Sequence, residues 1–338
     1  MAQLPTPQGP VLVVGGAGYI GSHAVQLLRQ QGVETITFDD LSTGHREAVQ
    51  GEFVEADLAD CGAIANTLKR YKPVAAMHFA GKTYVGESVT HPGLYYQANV
   101  VNSLNLLREL QRAGVRDVVF SSTCATYGQP EVVPIPDDAP QAPITPYGAT
   151  KLVVEQILAS FQRAHGMRNV CLRYFNAAGA LPDGSLGEVH VPETHLIPLV
   201  LEVALGQRKE LKIFGQDYPT PDGTCIRDYI HVCDLAQAHL DAVALLQSGI
   251  ESLSCNLGTG QGFSVLEIIE AARAVTGHAI PVTVVEPREG DPARLVSGGT
   301  RAGSVLGWTP KRADLTAIIE DAWRFKRGHP DGFASTRS

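Results

Sequence analysis

Four consecutive apolar residues, Val11-Leu12-Val13-Val14, run straight into Gly15-Gly16-Ala17-Gly18-Tyr19-Ile20-Gly21. A strand, a glycine turn and a helix start in that order constrain the fold more than any other stretch. Gly15 permits the tight turn, Gly18 lets backbone approach a pyrophosphate, and Gly21 lets helix and strand pack closely. Tyr19 and Ile20 open the helix, whose unpaired N–H groups and positive dipole end face the phosphates. The spacing is G-x-x-G-x-x-G, so its weight comes from context. That context is Phe38-Asp39-Asp40, which closes a second apolar run 18 residues after Gly21. An acid there accepts bonds from both adenosine ribose hydroxyls and repels a 2′-phosphate, which selects NAD over NADP. Asp57 and Leu58 are a candidate adenine-edge contact, with an ordinary turn aspartate as the competing reading.

Short apolar runs then alternate with helical spacing. Thr35–Phe38, Val74–Phe79, Val118–Ser121 and Val170–Tyr174 read as further strands. Tyr19–Gln31, Cys61–Tyr71, Leu94–Ala113 and Tyr147–His165 read as helices. This alternation predicts an α/β fold, a Rossmann-type doubly wound parallel sheet covered on both faces. After about Ala180 loops rich in Pro, Gly and Asp appear, with helical patterns at Leu196–Leu205, Asp234–Gln247 and Val265–Thr276. We expect a cofactor domain over 10–178, with 228–257 returning to it. A smaller α/β lobe is expected over 179–227 and 258–330.

The chain of 338 residues carries a net charge of −8 and no run of Lys or Arg, so a nucleic-acid surface is not expected. An anionic ligand must be held by a few placed cations and by backbone N–H groups. The six cysteines show no metal-ligand spacing, so we expect free thiols, a reducing compartment and no metal. No signal or membrane-spanning segment is legible, and a cytosolic protein is expected.

Tyr147-Gly-Ala-Thr-Lys151 places a phenol and an ammonium four residues apart, on one helix face. A free tyrosine has a pKa of about 10 and is a poor base at neutral pH. The ammonium and an oxidised nicotinamide ring both favour the phenolate. Val118-Val-Phe-Ser-Ser-Thr123 supplies a hydroxyl at a strand end, and Thr123 is placed to bond the substrate oxygen that Tyr147 deprotonates.

These motifs make the chain resemble the extended short-chain dehydrogenase/reductase family, and within it the nucleotide-sugar 4-epimerases. The resemblance runs from Val11 to about Trp323. It is carried by Gly15–His23, His78-Phe-Ala-Gly81, Val85-Gly-Glu-Ser88 and Tyr147–Lys151. It is carried further by Leu172-Arg-Tyr-Phe-Asn176, Ile213-Phe-Gly215, Arg227-Asp-Tyr-Ile-His231 and Arg288-Glu-Gly-Asp291. The resemblance implies a catalytic triad of Thr123, Tyr147 and Lys151. It implies an NAD lining of Phe79, Ala80, Gly81, Asn99, Ser121 and Tyr174, with Tyr147 and Lys151. For the UDP-sugar it implies Asn176, His195, Leu196, Phe214, Arg227, Arg288 and Asp291, with Thr123 and Tyr147. Two guanidiniums suit a diphosphate, and Phe214 suits a uracil.

The reaction implied is an isomerisation of UDP-galactose and UDP-glucose. Carbon 4 is oxidised, the 4-keto sugar turns about its pyrophosphate linkage, and the other face is reduced. The family's dimers imply a homodimer, with Leu94–Ala113 on its face. Five positions depart from the family pattern. Thr123 stands where many members have serine. Lys82 and Thr83 differ from a lysine found after the glycine. His195 replaces an asparagine, and Leu295 a bulky tyrosine. A small Leu295 keeps N-acetylhexosamine and other UDP-sugars open as substrates. A nucleotide-sugar 4,6-dehydratase is disfavoured because Cys124 and Ala125, not an Asp-Glu pair, follow Thr123. A non-catalytic dinucleotide sensor would have no need of Tyr147 and Lys151. His78, His231 and His239 read as satisfied core or helix-end histidines, and Asp137-Asp138 as solvated loop acids.

Overall fold

A computed structural model describes residues 6–288 and 290–333. The elements in chain order are β1 (Val11–Val14), α1 (Tyr19–Gln30), β2 (Thr35–Asp39), β3 (Glu52–Glu55), α2 (Cys61–Tyr71) and β4 (Ala75–His78). Then come α3 (Val85–Thr90), α4 (Pro92–Tyr95), α5 (Asn102–Ala113), β5 (Asp117–Thr123), α6 (Pro146–His165), β6 (Arg168–Tyr174) and β7 (Asn176–Ala178). The remainder is α7 (Leu196–Ala204), β8 (Leu211–Phe214), β9 (Ile226–His231), α8 (Val232–Gln247), β10 (Ser252–Leu257), β11 (Gly262–Ser264) and α9 (Val265–Thr276). It ends with β12 (Val282–Val285), β13 (Arg294–Leu295), α10 (Arg301–Ser304) and α11 (Leu315–Gly328).

Seven strands form one parallel sheet in the order β10-β6-β5-β4-β1-β2-β3. The doubly wound parallel fold expected from the alternation is therefore present. Strand β1 shows why its sequence is apolar at every position. Val11 and Val13 join one core with Val25, Leu28, Leu235 and Val243 of α1 and α8. Leu12 and Val14 join the opposite core with Leu106, Leu110, Val154 and Leu158 of α5 and α6. A strand covered on both faces has no side for a polar residue.

Local chemistry sets the helix ends. Thr145 caps α6 by accepting from Gly148 N, Pro146 takes the first turn, and Gly166 ends it at φ 65°. Ser264 and Glu267 form a reciprocal capping box at α9, which Gly277 closes at φ 71°.

The helix expected over Leu94–Ala113 is not continuous. A single π turn at Tyr96–Val101 separates α4 from α5. The extra residue in that turn is how the chain aims Asn99 inward, where it is buried. Sequence periodicity also passes over β3, a short edge strand with charged ends, and over α3 and α11.

Strand β9 pairs with β7, β11 and β13 in a second sheet, and β8 pairs with β12. A third core lies here, built by Val200 and Leu201 of α7, Ile268 and Ile269 of α9 and Ile318 and Ile319 of α11. Among the described residues, no helix is long and apolar enough to cross a membrane.

Candidate functional site

The glycine turn is built by close backbone approaches. A Cβ on Gly15, which has φ 80°, would lie 2.5 Å from Ala80 N beyond β4. On Gly21 it would lie 2.2 Å from Gly15 O, so the first turn of α1 rests on the loop itself. Gly18 is different. It caps α1, and a Cβ there would meet only Gly15 O, at 3.5 Å. Helix α1 has no side-chain cap and no acid in its first turn. Its orphan N–H groups fit a phosphate-bearing group such as a dinucleotide. Ile20 packs on the core, while the Tyr19 hydroxyl donates to Gly179 O at 2.7 Å. The Tyr19 side chain is thus committed away from the turn, leaving only its backbone for a phosphate.

At the end of β2, Asp39 accepts from Ala17 N and from Leu41 N, both at 2.9 Å. Its carboxyl is held above the usual range, chiefly by burial, against those two hydrogen bonds. One side chain therefore fixes both the glycine loop and the strand end. Asp40 is exposed and accepts from Ser42 N and Oγ. Asp57 accepts from Ala59 N and Asn102 Nδ2, and Leu58 is buried. After β4 come Phe79, Ala80 and Gly81. Gly81 has φ 154°, and a Cβ there would lie 2.9 Å from Asn99 Oδ1. Asn99 holds the next residue by both backbone groups, accepting from Lys82 N at 2.7 Å and donating to Lys82 O at 3.0 Å.

Thr123, Tyr147 and Lys151 come together at the end of β5. A Cβ on Gly148 would lie 2.5 Å from Ala125 O, so α6 sits directly on the backbone that follows Thr123. Tyr147 and Lys151 are 7% and 3% exposed, and both sit on the inner face of α6. Burial pushes the Tyr147 phenol well above its ordinary value, and the Thr123 hydroxyl pulls the other way. The lowered phenol expected from sequence is thus not a property of the polypeptide alone. Desolvation outweighs the neighbouring side chains, and any reversal needs a further positive charge. Burial lowers Lys151 to about 8, opposed by Glu155. Its Nζ donates to Ser121 O at 3.0 Å and lies 4.9 Å from the Phe120 ring centroid. Ser121 Oγ contacts the Tyr174 hydroxyl at 3.3 Å and His239 Nε2 at 3.1 Å.

The other predicted residues lie on the second sheet and around it. Asn176 stands opposite Tyr229 in the β7–β9 register, and Leu196 opens α7. Arg227 of β9 is paired with Asp291 at 2.5 Å, so that carboxylate is engaged by the arginine. The Arg288 guanidinium stacks over the half-exposed Phe214 ring, 4.0 Å from its centroid. Leu295 pairs with Arg227 in β13 and packs on the small cluster of Cys124, Tyr127, Ile135 and Phe175.

Four features escape the sequence. Asp137 is not solvated. It is buried and accepts from Asn256 N, Thr300 N and Arg301 N at 2.7, 2.8 and 3.0 Å. Those donors lie over a hundred residues away, so local composition carries no sign of them. Asp138 is exposed. His239 meets Ser121 and the Phe79 ring, 4.5 Å between centroids, which its place in an apolar helix does not reveal. His78 is buried with Nε2 on Ser103, but its Nδ1 has no partner. Finally, Glu188, His190, Glu193 and His195 gather their side chains within 4.8 Å of one another. The alternate spacing Glu188-x-His190 and Glu193-x-His195 was the available signal.

The chain matches the NAD dependent epimerase/dehydratase family over residues 11–258. It is 48% identical to the UDP-glucose 4-epimerase of Halalkalibacterium halodurans, covering 96% of this chain and 98% of that one. Among solved structures, UDP-glucose 4-epimerase from Brucella ovis in complex with NAD is similar with a TM-score of 0.92. It is 48% identical and covers 94% of this chain and 98% of that one. UDP-glucose 4-epimerase from Bifidobacterium longum in complex with NAD+ and UDP has a TM-score of 0.91 at 34% identity. It covers 96% of this chain and all of that one. A glycine turn resting on Ala80 and a buried Tyr147 and Lys151 beside Thr123 accord with those matches, and the chain belongs to the NAD dependent epimerase/dehydratase family.

Proposed function

We propose that the chain interconverts UDP-galactose and UDP-glucose by inversion at sugar carbon 4. The observation that carries this reading is the convergence of buried Tyr147 and Lys151 with Thr123, with β4 alone between their strand and the one that leads to the uncapped start of α1. The uncapped N–H groups, Asp39, Asp40, Gly81, Asn99, Ser121 and Tyr174 would hold NAD. NAD, when bound, accepts a hydride from sugar carbon 4 and later returns it.

The chain's own groups manage the proton and the pose. Tyr147 removes the proton of the 4-hydroxyl and restores it after the sugar has turned. Thr123 bonds the same oxygen and keeps it on the phenol. Lys151 stabilises the phenolate and, through Ser121 O, holds α6 against β5. Arg227 and Arg288 anchor the pyrophosphate while Phe214 flanks the uracil. Asn176, His195 and Leu196 bound the sugar side. A firm anchor and an uncommitted sugar pocket together let the 4-keto sugar present either face.

We take 10–178 with 228–257 as the cofactor part, and 179–227 with 258–330 as the substrate part. Val85, Val89, Leu94, Tyr96 and Val101 expose apolar surface together around α3 and the π turn, which favours a homodimer across that face. The free cysteines suit the cytoplasm. A second reading, UDP-N-acetylhexosamines as substrates, is favoured by the short Leu295, which packs on the cluster that includes Cys124. Purified chain incubated with UDP-galactose tests the proposal. Formation of UDP-glucose without net release of NADH supports it, and stoichiometric NADH release overturns it.

A further inference from the structure

The loop between β7 and α7 brings two imidazoles and two carboxylates to one point. Glu188 and Glu193 side chains are 7% and 5% exposed, and His190 is 16% exposed. His190 Nδ1 lies 3.2 Å from Glu188 Oε1 and 3.7 Å from Glu193 Oε2. His195 Nδ1 lies 2.7 Å from Glu188 Oε1 and 3.4 Å from Glu193 Oε1. Yet both Nδ1 atoms are buried without an aligned hydrogen-bond partner. The ligand atoms of all four side chains lie within 4.8 Å of one another, a span that one shared cation would bridge.

We propose that Glu188, His190, Glu193 and His195 form a four-coordinate site for a divalent transition metal ion, with zinc as the best fit. The donor set, two imidazole nitrogens and two carboxylate oxygens, is one that zinc takes in tetrahedral geometry. Zinc bonds of about 2.0–2.1 Å place the ligand atoms of a tetrahedron about 3.3 Å apart. The two Nδ1 atoms lie 3.2 and 2.7 Å from Glu188 Oε1 and 3.7 and 3.4 Å from Glu193, through its two different oxygens, so the Glu193 carboxylate would turn one oxygen toward the ion on binding. Glu193 Oε1 accepts from Thr194 N and His195 N at 2.7 and 2.8 Å, which orients the carboxylate as outer-shell bonds orient a ligand. Tyr19 and Tyr84 present their rings edge-on to His190, with centroids 6.5 and 6.3 Å away. His190 and Glu193 also line an open hollow with Glu202 and Lys326, which gives an ion a path in.

Binding forms two Zn–N and two Zn–O bonds, and any protons on the imidazoles leave to solvent. The ion ties the loop to the start of α7 and sets the positions of His195 and Leu196. This role is structural and does not depend on the reaction proposed above.

The test uses the full chain, stripped with chelator and titrated with Zn2+ by calorimetry and with Co2+ by visible absorption. One Zn2+ per chain and intense four-coordinate Co2+ bands are expected. His190→Ala and Glu188→Gln should each weaken Zn2+ binding at least about tenfold, with His91→Ala as a neutral control. Circular dichroism checks that each variant folds. If a variant does not fold, the rise in wild-type melting temperature with added Zn2+ stands in its place. Absence of saturable Zn2+ uptake, an affinity unmoved in both variants, or weak six-coordinate Co2+ bands would overturn the site and leave two imidazolium–carboxylate pairs.

Discussion

Lys151 Nζ donates to the carbonyl of Ser121, joining the helix that carries Tyr147 to the strand that ends in Thr123. The bond fixes two proton-handling groups relative to each other. It also places an ammonium where burial lowers its pKa to about 8.

The pH dependence of turnover follows from that value. Lys151 is charged below about 8 and neutral above it. If the ammonium supports the phenolate, kcat falls as pH rises through that value. Lys151→Met should lower kcat and erase the alkaline limb. A limb that persists in the variant would assign it to another group. Linkage gives a second check. A folded pKa below the unfolded value of about 10.4 means that the unfolded chain binds more protons between the two. This group's contribution to stability therefore increases with pH across that window.

Tyr147→Phe keeps the ring and removes the proton. A loss of about 10²–10⁴-fold in kcat is expected, the usual worth of a positioned acid–base group. The amount of NAD carried through purification should not change. Retention of most activity would take Tyr147 out of the mechanism.

Asp39→Ala should act on both stability and cofactor choice. It strands the N–H groups of Ala17 and Leu41, at a cost of about 1–3 kcal/mol by denaturant unfolding. It also removes the charge that would exclude a 2′-phosphate. NADP should then compete with NAD, and an unchanged preference would show that the acid serves the loop alone.

Arg173 and Glu155 form an ion pair at 2.6 Å, 9% and 7% exposed, behind the catalytic face of α6. Removing either partner leaves a buried charge, so Glu155→Gln or Arg173→Met should cost about 3–5 kcal/mol. The double variant should recover part of that loss in a thermodynamic cycle. Additive losses would mean that the two residues act independently.

Leu295→Tyr should narrow the sugar pocket. If UDP-N-acetylgalactosamine is turned over, the variant should lose that activity at least about tenfold while keeping UDP-galactose. Equal losses on both sugars would place the size limit elsewhere.

The legible parts of this molecule are those in which neighbours in sequence are neighbours in space. The β1–α1 glycine turn and the Tyr147/Lys151 helix face are local, and the structure has both. The parallel sheet follows from the alternation of apolar runs and helical patterns. What failed was non-local or depended on a break in periodicity. Asp137 finds its donors across the fold; His239 is the satisfied helix histidine expected, and only its partner Ser121 is non-local. The π turn at Tyr96–Val101 has no marker in composition, although it directs Asn99. Desolvation of the Tyr147 phenol, which raises its pKa in the polypeptide without a nicotinamide ring, is likewise not legible, because charge spacing can be read from sequence and burial cannot.

Strand β10 lies at the outer edge of the seven-stranded sheet, paired with β6 along Ser252–Leu257. That edge is complete only once the chain has been synthesised through residue 257. A nascent chain ending near residue 180 would therefore hold β6 with a bare flank, open to a second nascent copy. A fragment ending there should therefore self-associate more readily than the whole chain does.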